Sequence, residues 1–144
     1  MSSLHLKDFV NGYSLEVVPN SAAKIESFAE ILPKQTRVYV AHLEKENIET
    51  MVKTAKRLSD EGFSVMPHIP ARIVKDKATL SDWISMYQNE AGVTEALLLA
   101  GGSAKPVGDY DSSIQLIESG LFDKAGFKRL HIAGHPEGSK DIDP

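Results

Sequence analysis

The run Ala-Leu-Leu-Leu-Ala at 96–100 constrains this chain more than any other feature. Five apolar residues are too few for a buried helix, and the run lacks the polar alternation of a strand with one wet face. It reads as a parallel strand covered on both faces. Parallel strands need crossover connections, usually helical, and amphipathic stripes are spaced along the chain to supply them. Ile25, Phe28, Ala29 and Leu32 recur at i, i+3, i+4 and i+7, with Ser21 as N-cap and Pro33 as a stop. Ile48, Met51, Val52, Ala55 and Leu58 repeat the stripe between Asn47 and Gly62; Leu80, Trp83, Ile84 and Tyr87 precede Gly92. Ile114, Ile117 and Leu121, widened by Leu116 and Phe122, make a fourth.

Between the stripes lie short aliphatic runs at 13–18, 37–41, 63–68 and 130–133, in addition to 96–100. The order is β-α repeated, with a closing strand, which implies right-handed crossovers and a parallel α/β sheet in one domain. Segments 70–78 and 103–109 read as loops. Two architectures fit: a flavodoxin-like doubly wound sheet, which periodicity and length favour, or part of a (β/α)₈ TIM barrel, which when complete needs about 250 residues.

Composition removes several classes of function. With 42% hydrophobic and 25% charged residues the chain can bury a core. Its net charge of -4 argues against nucleic-acid or anionic-membrane partners. The absence of cysteine removes disulfides, thiolate metal sites and cysteine nucleophiles, so redox chemistry would need a bound cofactor. Residues 1–15 show no basic stretch followed by an apolar run, and no segment is long enough to span a bilayer, so a cytoplasmic protein is expected.

In either architecture ligands bind beyond the carboxyl ends of the strands. Those ends read Glu16-Val-Val-Pro19, Ala41-His42, Pro67-His68, Gly101-Gly102-Ser103 and Gly134-His135-Pro-Glu-Gly138, so carboxylates and imidazoles converge on one rim. Glu16 sits between Leu15 and Val17. A carboxylate directed into a sheet interior is costly unless paired or protonated, which marks it as a functional acid, an ion-pair member or a solvent-facing residue. His68 reads equally as a hydrogen-bonded strand-end histidine. Gly101-Gly102 permits close backbone approach to a flavin or a phosphate, without any G-x-G-x-x-G fingerprint. His42, His68, His135, Glu16 and Glu137 lack ligand spacing on a single element, so no metal site is expected.

Read in order, six segments resemble the methylenetetrahydrofolate reductase family of flavin-dependent barrels: Ser14-Leu-Glu-Val-Val-Pro19, Ala55-Lys-Arg-Leu58, Val65-Met-Pro-His68-Ile, Leu98-Leu-Ala-Gly-Gly102, Gly108-Asp-Tyr110 and Ile132-Ala-Gly-His-Pro-Glu-Gly138. The resemblance implies a partial TIM barrel of about five strands that uses FAD and NAD(P)H to reduce 5,10-methylenetetrahydrofolate to 5-methyltetrahydrofolate for methionine biosynthesis. It implies that Glu16 is the general acid, its proton retained by an apolar setting. His68, Leu99, Gly101, Tyr110, Ala133 and His135 fall at flavin-lining positions, with His42, Ala100 and Gly102 in the same cofactor-binding set. The implied partner is a folate, and a homo-oligomer is allowed. The sequence departs from the family's pattern at Ala100 and Gly102, where an arginine and an aspartate are usual, at Ala41-His42, where threonine and tyrosine are common, and at Ser139, where a histidine is expected. Because the match ends after the fifth strand, the chain is expected to be a partial copy of a longer enzyme, with a binding subunit lacking complete catalysis as the alternative.

Overall fold

The computed structural model describes residues 3–134. Five parallel strands form one sheet: β1 (Ser14–Val17), β2 (Arg37–Val40), β3 (Ser64–Pro70), β4 (Glu95–Leu99) and β5 (Arg129–Ile132). Each overlaps a run expected from sequence. They lie in the order β1-β2-β3-β4-β5. A flavodoxin-like sheet would place β1 between β2 and β3, whereas here the winding never reverses, as in a (β/α)₈ barrel.

Register and curvature agree with that winding. β3 pairs β2 through residues 64–67 and β4 through residues 68–70, a stagger of the kind that sets the shear of a barrel. In a flat sheet β2 and β5 would stand about 14 Å apart, their side chains perpendicular to it. Instead Tyr39 on β2 brings its hydroxyl to 3.5 Å from Nδ1 of His131 on β5. The sheet is therefore curled, with Tyr39 and His131 on its concave side.

The core lies on the other side. Val38, Val40, Val65, Ile69, Ala96 and Leu98 pack against α3 (Ile48–Asp60) and α4 (Lys77–Ala91), chiefly Met51, Val52, Ala55, Leu58, Leu80, Ile84 and Tyr87. These two helices match their stripes because the ends are capped. Asn47 accepts the Thr50 amide at 2.8 Å and Asp76 the Thr79 amide at 2.8 Å. Gly92, at φ +64, closes α4 in the left-handed region.

The other helical expectations change. The stripe at 25–32 does not form a continuous helix: a short α2 (Pro19–Ala22) is followed by a 3₁₀ turn at Phe28–Glu30. Two side chains at the end of α3 and just beyond it supply what a local helix would have. Arg57 donates to the carbonyls of Ala22, Ile25 and Glu26, and the Glu61 carboxylate accepts the amides of Phe28 and Ala29. The fourth stripe is split at Gly120, φ +67, into α5 (Ser113–Glu118) and α6 (Leu121–Lys124). A helix not expected from the pattern, α1 (Ser3–Val10), precedes β1. No helix among the described residues is long and apolar enough to cross a membrane.

Candidate functional site

Four of the five strand ends, those of β1 to β4, meet at one rim, and His135 and the residues after it lie outside the described residues. Glu16, His42, His68, Leu99, Gly101 and Gly102 line a single cavity of about 350 Å³, together with Ser103, Glu44 and Ile73. That lies within the roughly 300–1,000 Å³ of ordinary small-molecule sites. The strand alternation explains the selection: Glu16 and His68 project from the concave face, while Val17, Val40 and Ile69 turn to the core.

Glu16 differs from its expected setting. Its side chain is 60% exposed, because Leu15 and Val17 point to the opposite face and do not enclose it. Its partner is His68, whose Nε2 lies 3.3 Å from Oε2: near enough for an ion pair, but not aligned for a hydrogen bond, so that buried nitrogen has no hydrogen-bond partner among the described residues. Burial holds the His68 imidazole below the ordinary histidine pKa; the Glu16 charge opposes this and nearby His42 adds to it. His68 is therefore a neutral ring at neutral pH.

His42 is buried likewise, its pKa lowered by burial against the carbonyl and charge of Glu46. Its Nε2 lies 3.0 Å from the Glu46 carbonyl. A carbonyl only accepts, so Nε2 carries the proton and Nδ1 is an acceptor. That Nδ1 is buried and has no partner among the described residues. The ring lies against Trp83, centroids 5.1 Å apart.

The fourth strand end supplies backbone. Gly101 stands at φ +94, and a Cβ there would lie 3.0 Å from the Pro70 side chain. Beside Gly102 there is open space, leaving its backbone accessible from the cavity. Ala100 does not line the cavity; its carbonyl accepts the Arg72 amide at 2.9 Å and so extends the link between the β3 and β4 ends. Gly108 is required by close approach, since a Cβ would strike the Lys75 carbonyl, to which the Asp109 amide donates.

Two expected flavin-lining residues, Tyr110 and Ala133, stand outside that cavity. Tyr110 is packed in the core cluster, its hydroxyl pKa raised by burial and then by the Asp109 and Asp76 charges. Ala133 is half-buried beyond β5 and outside the cavity lining. His135 lies outside the described residues.

Other polar residues emerge only from the fold. Arg72 donates to the Asp111 carboxylate at 2.7 Å and to the Ser103 carbonyl, tying the loop after β3 to the loop after β4. On the concave face Glu95 Oε2 lies 3.4 Å from His131 Nε2, and the Tyr39 ring contacts both His131 and His68 edge-on. His131 and Tyr39 each interrupt an apolar strand as Glu16 does, a signal present in the sequence. Arg72 sits in a segment that sequence marks only as a loop. Among the described residues no cluster of three or more histidine, aspartate or glutamate side chains is arranged to hold a metal ion. No protein-family model matches the chain.

Proposed function

We propose that this chain carries the flavin-side machinery of a cytoplasmic NAD(P)H oxidoreductase that reduces 5,10-methylenetetrahydrofolate to 5-methyltetrahydrofolate. The observation that carries the reading is the pairing of a solvent-reachable carboxylate, Glu16, with the buried neutral imidazole of His68, in a cavity walled on another side by bare glycine backbone. These residues suit a planar cofactor such as the isoalloxazine of FAD. His42 and Leu99 line the cavity, Leu99 offering an apolar surface, and Gly101-Gly102 lets a flat ring approach the main chain.

Bound flavin would supply hydride transfer between the nicotinamide and the folate. Glu16 then acts as the proton donor to the folate amine, opening the five-membered ring to the iminium that accepts hydride. His68, being uncharged, stands beside the carboxyl without forming a permanent counter-ion. The Ala100 carbonyl and Arg72 link the ends of the third and fourth strands, which carry His68 and Gly101.

The test is flavin binding followed by turnover. A visible spectrum of the full chain with FAD should show a bound flavin, and Glu16→Gln should lower folate reduction by about 10²–10⁴-fold while leaving flavin reduction by NAD(P)H intact. Unchanged folate reduction in that variant overturns the role of Glu16. The open backbone at Gly102, which presents no acidic side chain, favours one second reading: a flavin- or pterin-binding subunit without complete catalysis. Turnover by the purified chain alone rules that reading out.

A further inference from the structure

A second cavity lies at the opposite end of the sheet, below the amino-terminal ends of β1 and β2. It has a volume of about 520 Å³ and is bounded by α1, the turn at 11–13 and the turn at 33–36. Its charged lining is of one sign only. Lys7 comes from α1, Lys34 from the turn, and Arg37 from the first position of β2, with no aspartate or glutamate among the lining residues. This is a local inversion on a chain of net charge -4.

These three cations are uncompensated. None of them forms an ion pair or a side-chain hydrogen bond among the described residues, and the Nε of Arg37 is buried without an acceptor. A buried guanidinium N–H is costly when unsatisfied, and like charges around one cavity repel. An anion in the cavity relieves that repulsion. Beside the cations, Tyr13 exposes 44% of its surface, and the Asn11 and Gln35 amides offer both donors and acceptors.

We propose that this cavity binds a nucleoside phosphate, its phosphates on Lys7, Lys34 and Arg37 and its base on the Tyr13 ring. The volume suits a ligand of that size. Guanidinium and ammonium groups make strong charge-assisted bonds to phosphate, and an aromatic face accepts any base by stacking. The two cavities share no lining residue, so a ligand here occupies a site separate from the rim. It acts as an effector or a separate ligand, independent of the redox reading above.

The experiment is calorimetric titration of the full chain with ATP, with inorganic tripolyphosphate and with adenosine, at low and at physiological salt. ATP should bind saturably at one site, tripolyphosphate more weakly and adenosine hardly at all, with affinity falling as salt rises. Lys34→Gln and Lys7→Gln, both exposed positions that leave the core untouched, should each weaken ATP several-fold, and Lys34→Gln combined with Arg37→Gln at least tenfold. Tyr13→Leu should weaken ATP and leave tripolyphosphate unchanged. The charge-matched pair Lys124→Gln and Lys128→Gln should change neither, and saturating riboflavin, which has the flavin ring but no phosphate or adenine, should not displace ATP. The absence of saturable binding overturns the proposal. So does equal loss in the charge-matched control, unchanged affinity in the pocket variants, or displacement by riboflavin. Equal binding of ATP and tripolyphosphate with no effect of Tyr13→Leu overturns the nucleoside assignment.

Discussion

The two faces of the sheet are built from alternate residues of the same strands, yet they have opposite characters. On the helix side Val38, Val40, Ala96 and Leu98 have no measurable exposure and share one apolar cluster with α3 and α4. On the concave side the same strands present Arg37, the pair Glu16–His68 and the chain Tyr39–His131–Glu95, with polar contacts of 3.3–3.5 Å within the pair and the chain. The difference shows how an α/β sheet divides its tasks. Burial on one face supplies cohesion, and the other face is left free to carry charge and hydrogen-bonding groups that would be costly in a sealed core.

That division gives three expectations, in falling order of effect. Leu98→Ala removes a fully buried side chain between sheet and helices and should cost about 3 kcal/mol in urea unfolding, within the usual 2–5 for such truncations. Tyr39→Phe removes only a long hydroxyl contact on the concave face and should cost about 0.5 kcal/mol. A Tyr39→Phe loss as large as that of Leu98→Ala would mean that the concave face is a second core, and the comparison would fail.

The third and smallest effect is in pH dependence. His42 and His68 are held by burial below the ordinary value of 6.5. Below that value the unfolded chain takes up protons that the folded chain does not. Their contribution is therefore fully present above about pH 6.5 and is lost as pH falls from there toward the lowered folded values. Urea midpoints should drop between pH 7 and pH 5, and His68→Gln should flatten the slope. Leu98→Ala should shift the whole curve down and leave its slope unchanged. If His68→Gln leaves the slope as it was, the rim histidine is not a buried neutral ring.

Much of the fold is legible in the chain. All five strands overlap runs read from aliphatic content, and α3 and α4 follow their stripes because Asn47, Asp76 and Gly92 punctuate them. At the rim, six expected residues converge on one cavity, since parallel strands deliver their carboxyl ends to the same side. Failures of the local reading have tertiary causes. The stripe at 25–32 loses its helix because Arg57 and Glu61, about thirty residues away, satisfy its backbone groups. Tyr110, at an expected flavin position, is drawn into the core instead.

Periodicity and punctuation by themselves determined the five strand segments and the helices α3 and α4, because side-chain spacing and caps act within a few residues. They also marked Glu16, His42 and His68 as strand-end polar groups. Strand order, curl and stagger were decided only by the tertiary structure, since these depend on pairing between segments twenty or more residues apart. That pairing exposes Glu16 where the local sequence suggested enclosure, brings Tyr39 to His131 across two intervening strands, and gathers Lys7, Lys34 and Arg37 around one cavity. Period-two alternation tells which residues share a face of one strand; only the assembled sheet tells what lies opposite them.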